Sequence, residues 1–248
     1  MIAPVRVLTW NVQGSAGVDV DAVARHIRAQ SPDLVALQEV QRRQAARLGG
    51  ALAMAGRRWA FKHWPIVHRA EGLAVLTPHR FLAAEPFRIR GGPIWSWRRR
   101  IGIDATVDTG AVIVRVLDVH LSPHDDEARR TEARLLIDRA GRGVPAPLVV
   151  GDLNDQPRRG AHAELLGGGW IDAWQRVHGD AAGATSWTSG DRRRRPPTQR
   201  LDHVLAPSGS VVEDATVLDD PLEQLGALSD HLPLMATVRL PEPGRTGQ

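Results

Sequence analysis

The chain has 248 residues, 42% of them hydrophobic and 24% charged, enough to bury a sizeable core. It has no cysteine, which excludes disulfides and thiolate metal sites. Net charge is +4 and Lys62 is the only lysine. The many arginines either favour an anionic ligand, through bidentate contacts to phosphate, or reflect a GC-rich coding sequence that also supplies Ala, Gly and Pro. No basic flank with a long apolar stretch opens the chain, and no run approaches the ~18 apolar residues of a membrane span, so a cytoplasmic protein is expected. No protein partner is inferable, and a monomer is expected.

Apolar periodicity predicts a strand over 5–11, an amphipathic helix over 20–30, a strand over 34–39 and a helix over 41–55. A strand-rich block follows at 58–64, 72–77, 80–90, 101–108 and 111–121, punctuated by Thr77-Pro78, Gly91-Gly92-Pro93 and Asp108-Thr109-Gly110. Helix resumes over 125–140, with strands over 147–151, 201–206, 211–218 and 232–240 and a frayed tail over 241–248. No Ser- or Gly-rich linker interrupts the pattern, so residues 1–240 are expected to form one domain. The order predicts two sheets packed face to face with helices outside, which explains why Val112 to Leu117 is apolar on nearly both faces.

Four strands run apolar and then end on a residue that can hold a metal or a phosphate: Val5 to Asn11, Leu34 to Glu39, Val112 to His120, and Leu148 to Asp152 with Asn154. Ser229-Asp230-His231 adds a fifth such segment. In layered α/β folds ligands collect beyond the carboxyl ends of strands, so a hydrolytic site is expected there. Alternation puts Val112, Val114, Val116, Asp118 and His120 on one side of their strand. His120 and His124 have i, i+4 spacing, but Pro123 argues against a shared helix and a zinc site. Local readings compete: Glu39 as a helix-entry charge, Asp152-Leu153-Asn154 as a turn, Ser229-Asp230-His231 as a loop, and Asp202 as an ion-pair partner of Arg200.

Six stretches carry a resemblance: Thr9-Trp10-Asn11-Val12-Gln13, Leu37-Gln38-Glu39-Val40, Asp118-Val119-His120-Leu121, Gly151-Asp152-Leu153-Asn154, Arg200-Leu201-Asp202-His203-Val204-Leu205 and Ser229-Asp230-His231-Leu232-Pro233-Leu234. They resemble, in order, the signature blocks of the endonuclease/exonuclease/phosphatase superfamily, over residues 5–240. The resemblance implies a four-layer α/β sandwich, two packed mixed β-sheets flanked by helices, and divalent-metal hydrolysis of a phosphate ester.

Such hydrolysis needs an activated water, a cation near the non-bridging oxygens and help for the departing alkoxide. Glu39 is a hard oxygen ligand suited to Mg²⁺ or Mn²⁺, and Asn11 can reach the same ion or its phosphate. Asp152 is expected to orient or deprotonate the water, with Asn154, two residues on in an extended segment, binding the phosphate or the water. His231 is expected to bind a non-bridging oxygen as an imidazolium. By resemblance Asp202 keeps His231 charged, Asp230 faces the metal region, and Glu71 pairs with His120 as a carboxylate does in the pancreatic deoxyribonuclease branch.

There are eight tryptophans and no tyrosine. By resemblance to the family, which often has an aromatic there, Trp10 and Trp187 are expected beneath the site. Trp95 and Trp97 beside Arg98, Arg99 and Arg100 read as a single-strand-binding surface or as a hairpin edge. Arg192, Arg193, Arg194 and Arg195 precede Asp202 by a few residues, and either hold a polyanionic substrate or form a solvated loop. Gln13 and His120 are similar to the deoxyribonuclease and sphingomyelinase branches rather than to apurinic endonucleases. The expected activity is therefore an endonuclease-like phosphodiesterase acting on nucleic acid. The alternatives are hydrolysis of a small phosphate ester or phospholipid head group, and a nucleic-acid-binding protein that lost catalysis. The intact set Asn11, Glu39, Asp152, Asn154 and His231 argues against the last.

Overall fold

The computed structural model describes residues 2–61, 70–90, 100–143, 145–187, 192 and 194–241. Among these, twelve strands pair into two six-stranded mixed sheets. The first runs in the order β11 (Val211–Val217), β12 (Leu234–Arg239), β1 (Val5–Asn11), β2 (Leu34–Gln41), β4 (Glu71–Thr77), β3 (Gly56–Phe61). The second runs β5 (Arg80–Arg90), β6 (Arg100–Asp108), β7 (Ile113–His120), β8 (Leu148–Asp152), β10 (Asp202–Pro207), β9 (Trp170–Asp172). The pairs β1–β2 and β7–β8 are parallel and the others antiparallel.

Each sheet buries both faces, which is why its central strands read as nearly continuous apolar runs. Val5, Val7, Leu34 and Ala36 of the first sheet meet Val114, Val116, Leu148, Val150 and Val204 of the second in a core between the sheets. Leu8, Trp10, Val35 and Leu37 point the other way, against α1 (Val20–Gln30), α2 (Arg42–Ala51) and α6 (Leu222–Leu228). Leu117, Val119 and Val149 pack likewise on α3 (Asp126–Ala140) and α4 (Gly160–Gly167). The four layers match the expected sandwich.

The α1 helix shows how local sequence sets an element. Asp19 caps it, its carboxylate accepting from Asp21 and Ala22 N–H at 3.0 and 3.1 Å, and Val23, Ala24 and Ile27 bury one face at helical spacing. It ends as predicted, with Ser31 in the left-handed region before Pro32. The structure adds elements that the sequence pattern did not give: α4, β9, α5 (Ala173–His178) and α6. The expected strand over 58–64 is seen as β3 to Phe61; residues 62–64, Trp95, Trp97, Arg98, Arg99, Arg193 and the tail from 242 lie outside the described residues.

Candidate active site

The rows of side chains between the sheets change from apolar to polar at one end. On β1 the row is Val5, Val7, Thr9, Asn11; on β7 it is Val114, Val116, Asp118, His120; on β8 it is Leu148, Val150, Asp152. The first polar tier is internal. Gln38 Nε2 donates to Thr9 Oγ1 at 3.1 Å and to Asp118 Oδ1 at 2.7 Å, tying the two sheets together. Asp118 is fully buried, which holds its carboxyl well above the usual range despite the Gln38 hydrogen bond.

The second tier opens outward. Strand register sets His120 opposite Asp152 on β8, and Asp202 opposite the same Asp152 from β10. His120 Nε2 lies 3.6 Å from Asp152 Oδ2 and 3.9 Å from Glu39 Oε1. Asn11 reaches across from the first sheet, its Nδ2 donating to Asp152 Oδ2 at 3.1 Å. His231 completes the group: Nδ1 is 2.7 Å from Asp202 Oδ2, and Nε2 is 3.9 Å from Asp152 Oδ2. The structure thus brings together seven of the residues singled out in the sequence: Asn11, Glu39, His120, Asp152, Asp202, Asp230 and His231.

Glu39 owes its position to a β-bulge. Register between β2 and β4 shifts between Leu37 and Val40, and Glu39 takes a left-handed backbone at φ 54°. Gln38 already fills the inward position of the alternation; the bulge is what turns the next carboxylate into the site. Such a backbone in a non-glycine residue is strained, and strain of this kind collects at functional positions.

Two expectations are corrected. Glu71 does not pair with His120: its Oε1 accepts the Ser15 N–H at 2.5 Å, while His120 faces Glu39 and Asp152. Asn154 is not part of an extended segment. β8 ends at Asp152, Asn154 adopts φ 50°, its N–H caps Asp152 Oδ1 at 2.8 Å, and its amide donates to Leu121 O at 3.0 Å. It thereby fixes the chain leaving His120. Arg100 is 6% exposed, buried at the start of β6.

Of the second arginine run, Arg192 turns inward. Its Nη1 donates to Gln13 Oε1 at 3.0 Å, and Gln13 Nε2 donates to Asp230 Oδ2 at 3.1 Å. Its backbone lies so close to α6 that a Cβ on Gly226 would sit 2.1 Å from Arg192 O. Arg194 and Arg195 are exposed. Trp187 donates its indole N–H to Arg195 O at 2.7 Å and Trp10 donates to His231 O at 2.8 Å, so the first holds the backbone of the arginine run and the second the backbone of His231.

Electrostatics separate the carboxylates. Burial, then the charge of Glu71, then Asp152 and Asp230, push Glu39 from 4.5 to about 7, against the pull of an Asn11 hydrogen bond. Burial also raises Asp152, with His231 opposing the shift. Burial alone would lower His231, but Asp202 and Asp152 outweigh it and hold the imidazole well above its ordinary value, as the cation. A buried carboxylate with further acids beside it, raised chiefly by its burial, fits a hard divalent cation that would favour its ionised form. Glu39, Asn11 and Asp230 are oxygen donors that could hold such an ion.

Asp152, Asp202 and His231 have ligand atoms within 4.8 Å of one another. Two of these atoms are already engaged with each other, and Asp202 Oδ2 also accepts the Thr185 hydroxyl at 2.7 Å. A second cluster, His162, Asp172 and His203, is fully buried. It does not fit a metal. His162 Nδ1 accepts the Arg158 N–H, so Nε2 carries the hydrogen given to Asp172, and Arg200 already contacts that carboxylate at 2.9 Å. Burial works against ionising Asp172, yet the histidine hydrogen bonds and Arg200 keep it well below the usual carboxylate range. Arg200 therefore pairs with Asp172, leaving Asp202 to His231.

Thr185 and Ser186 had no signal in the sequence apart from standing beside Trp187. The structure sets Thr185 Oγ1 on Asp202 and Ser186 Oγ 3.2 Å from His231 Nε2.

The chain matches the model of the endonuclease/exonuclease/phosphatase family over residues 8–231 and belongs to that family, whose members are metal-dependent phosphoric ester hydrolases. Comparison with curated proteins returns no significant match. Among solved structures, an endonuclease/exonuclease/phosphatase from Beutenbergia cavernae DSM 12333 is 25% identical with TM-score 0.73, covering 96% of this chain and 72% of that one. A mannosyl-6-phosphatase from Bacteroides thetaiotaomicron VPI-5482 is 16% identical with TM-score 0.74, covering 95% and 100%. TDP2 of D. rerio, complexed with single-strand DNA product, is 16% identical with TM-score 0.69, covering 95% and 99%. No helix among the described residues is long and apolar enough to cross a membrane.

Proposed function

We propose that the protein is a Mg²⁺- or Mn²⁺-dependent phosphodiesterase that cleaves nucleic acid. The observation that carries this reading is the convergence on one point, at the open end of both sheets, of a charged imidazole, a buried carboxylate and an acid-rich oxygen cluster.

A divalent cation held by Glu39, with Asn11 and Asp230 beside it, would supply positive charge to a non-bridging oxygen and to the leaving alkoxide. Asp152 takes the proton from the attacking water through Oδ2, the atom that faces His120, Asn11 and His231. His231 gives its Nε2–H to a non-bridging oxygen of the diester, and Asp202 at Nδ1 fixes the ring and its charge. His120, lying between Glu39 and Asp152, takes up or returns the proton as the product leaves. Asn154 holds the loop after β8 so that Asp152 keeps its angle.

Arg192 beside Gln13 supports a polyanionic substrate, because its charge stands at the rim of the site on an amide rather than a carboxylate. The likeness to TDP2, seen with single-strand DNA, is in keeping with this. The second reading is a small phosphate ester, favoured by the likeness to the mannosyl-6-phosphatase. A screen of oligonucleotides, chromogenic diesters and sugar phosphates, each with and without Mg²⁺, tests both. Turnover of monoesters alone would overturn the nuclease reading.

A further inference from the structure

Thr185 to Trp187 forms an extended rib wedged between two segments. Thr185 N and Ser186 N both donate to Gln199 O on one side, at 2.7 and 2.8 Å. Trp187 N donates to Asp230 O at 3.1 Å, and Leu232 N to Thr185 O at 2.7 Å, on the other. With both backbone edges engaged, the two hydroxyls of the rib are fixed at opposite ends of one imidazole. Thr185 Oγ1 sits beneath Asp202, and Ser186 Oγ sits beyond His231 Nε2 at 3.2 Å.

Asp202 occupies Nδ1, so Nε2 is the ring atom left for a phosphate oxygen. Ser186 Oγ, 3.2 Å from Nε2, borders the place where that oxygen must arrive. A hydroxyl has one donor as well as its acceptor pairs. When Ser186 accepts from Nε2 its own hydrogen is left over, and no group among the described residues takes it. The contact is also longer than the common N–H···O distance and so is readily exchanged for a stronger acceptor.

Resting on the phosphoesterase reading above, we propose that Ser186 is a catalytic residue: its hydroxyl donates to the same non-bridging phosphate oxygen as His231 Nε2, so that the oxygen is held by two donors. The arrangement Ser186–His231–Asp202 resembles that of a serine nucleophile, but here the imidazole is the donor and no covalent bond to Ser186 forms.

The test compares wild type, Ser186→Ala and Ser186→Thr on bis(4-nitrophenyl) phosphate and its phosphorothioate, in Mg²⁺. Losing one such donor should lower kcat of Ser186→Ala by about 10² to 10³ fold, with Thr restoring most of it. Sulfur accepts hydrogen bonds poorly, so the wild type should lose more than Ser186→Ala on passing from the oxygen to the sulfur diester. Separately, inorganic phosphate titrated calorimetrically into each protein should bind Ser186→Ala about tenfold more weakly. A folded Ser186→Ala with wild-type kcat, or with equal losses on both diesters, overturns the proposal. If wild type cleaves neither diester, the phosphodiesterase reading fails on its own. The titration then still decides, since equal phosphate binding by wild type and Ser186→Ala, or none by either, overturns the donor role.

Discussion

Asn11 Nδ2 lies 3.1 Å from Asp152 Oδ2, a hydrogen bond from the end of β1 in one sheet to the end of β8 in the other. The two residues are 141 positions apart, and the carboxylate they share with His120 and His231 exists only because the sheets pack in this register. The site is therefore a property of the interface between the layers, and its members should act as a unit.

Asp152→Asn and His231→Ala should each lower kcat by ~10² to 10⁴ fold while the fold survives. Because Asp152, His231 and Asp202 form one connected network, the double variant Asp152→Asn/His231→Ala should lose far less than the product of the single losses. Steady-state kinetics on a small diester, with circular dichroism to confirm folding, measures this. Near wild-type turnover in either folded single variant would remove that residue from its role.

Activity should require Mg²⁺ or Mn²⁺, disappear in chelator and return on adding metal back. Zinc should replace them poorly, since the site offers oxygen rather than sulfur or free imidazole ligands. Glu39→Gln should raise the metal concentration needed for half-maximal rate. Full turnover after metal removal, in excess chelator, would refute the metal role.

Metal-free stability should fall as pH rises through the window from about 4.5 to about 7. Glu39 carries its proton in the folded protein up to about 7, whereas the unfolded chain has released it above 4.5. The folded state binds more protons across that interval, so the slope of stability against pH is negative there. Asp118, also raised by burial, adds to the same trend. Melting temperatures from pH 5 to 8 should therefore decline less in Glu39→Gln and in Asp118→Asn than in wild type. Saturating Mg²⁺ should oppose the wild-type decline, because the ion binds the ionised carboxylate. Parallel profiles for wild type and both variants would exclude these two groups as the source.

Much of this could be read from the chain because polar residues ended apolar strands. β1 and α1 were legible to the residue, since the Asp19 cap and the 3.6 period agree locally. α4, α5 and α6 were not: they have six to eight residues, α4 runs into Gly167 to Gly169, and their helicity is imposed by packing rather than by pattern. Glu39 was legible as a carboxylate ending an apolar strand, but its bulge was not, because alternation alone would turn it outward. Asn154 failed for the converse reason, since a spacing of two means one face only while the chain stays extended. Arg100 was grouped with its charged neighbours, yet it lies where β6 enters the core. Thr185 and Ser186 depend on a backbone rib held by segments 14 and 45 positions away, counted from Thr185 to Gln199 and from Ser186 to His231, which no local signal encodes.

Among the described residues the arginine run has one inward and two outward members, and this difference gives a test of nucleic acid against a small ester. Arg192 is held at the rim by Gln13 and by the close fit of its backbone on Gly226. If it meets a backbone phosphate, Arg192→Ala should raise KM for a single-stranded oligonucleotide and flatten the plot of log affinity against log salt by about 0.7 to 0.9. Hydrolysis of bis(4-nitrophenyl) phosphate, which has no second phosphate, should be nearly unchanged. Arg194→Ala and Arg195→Ala, at exposed positions, should have smaller effects on both substrates. Gly226→Ala supplies an independent check, since the added methyl must push the Arg192 backbone away and should reproduce the Arg192→Ala phenotype with the guanidinium intact. Equal losses on oligonucleotide and small diester would put Arg192 in the chemistry through Gln13 and Asp230. No loss on either, with no detectable binding of DNA or RNA, would remove nucleic acid as the substrate and leave the small phosphate ester in its place.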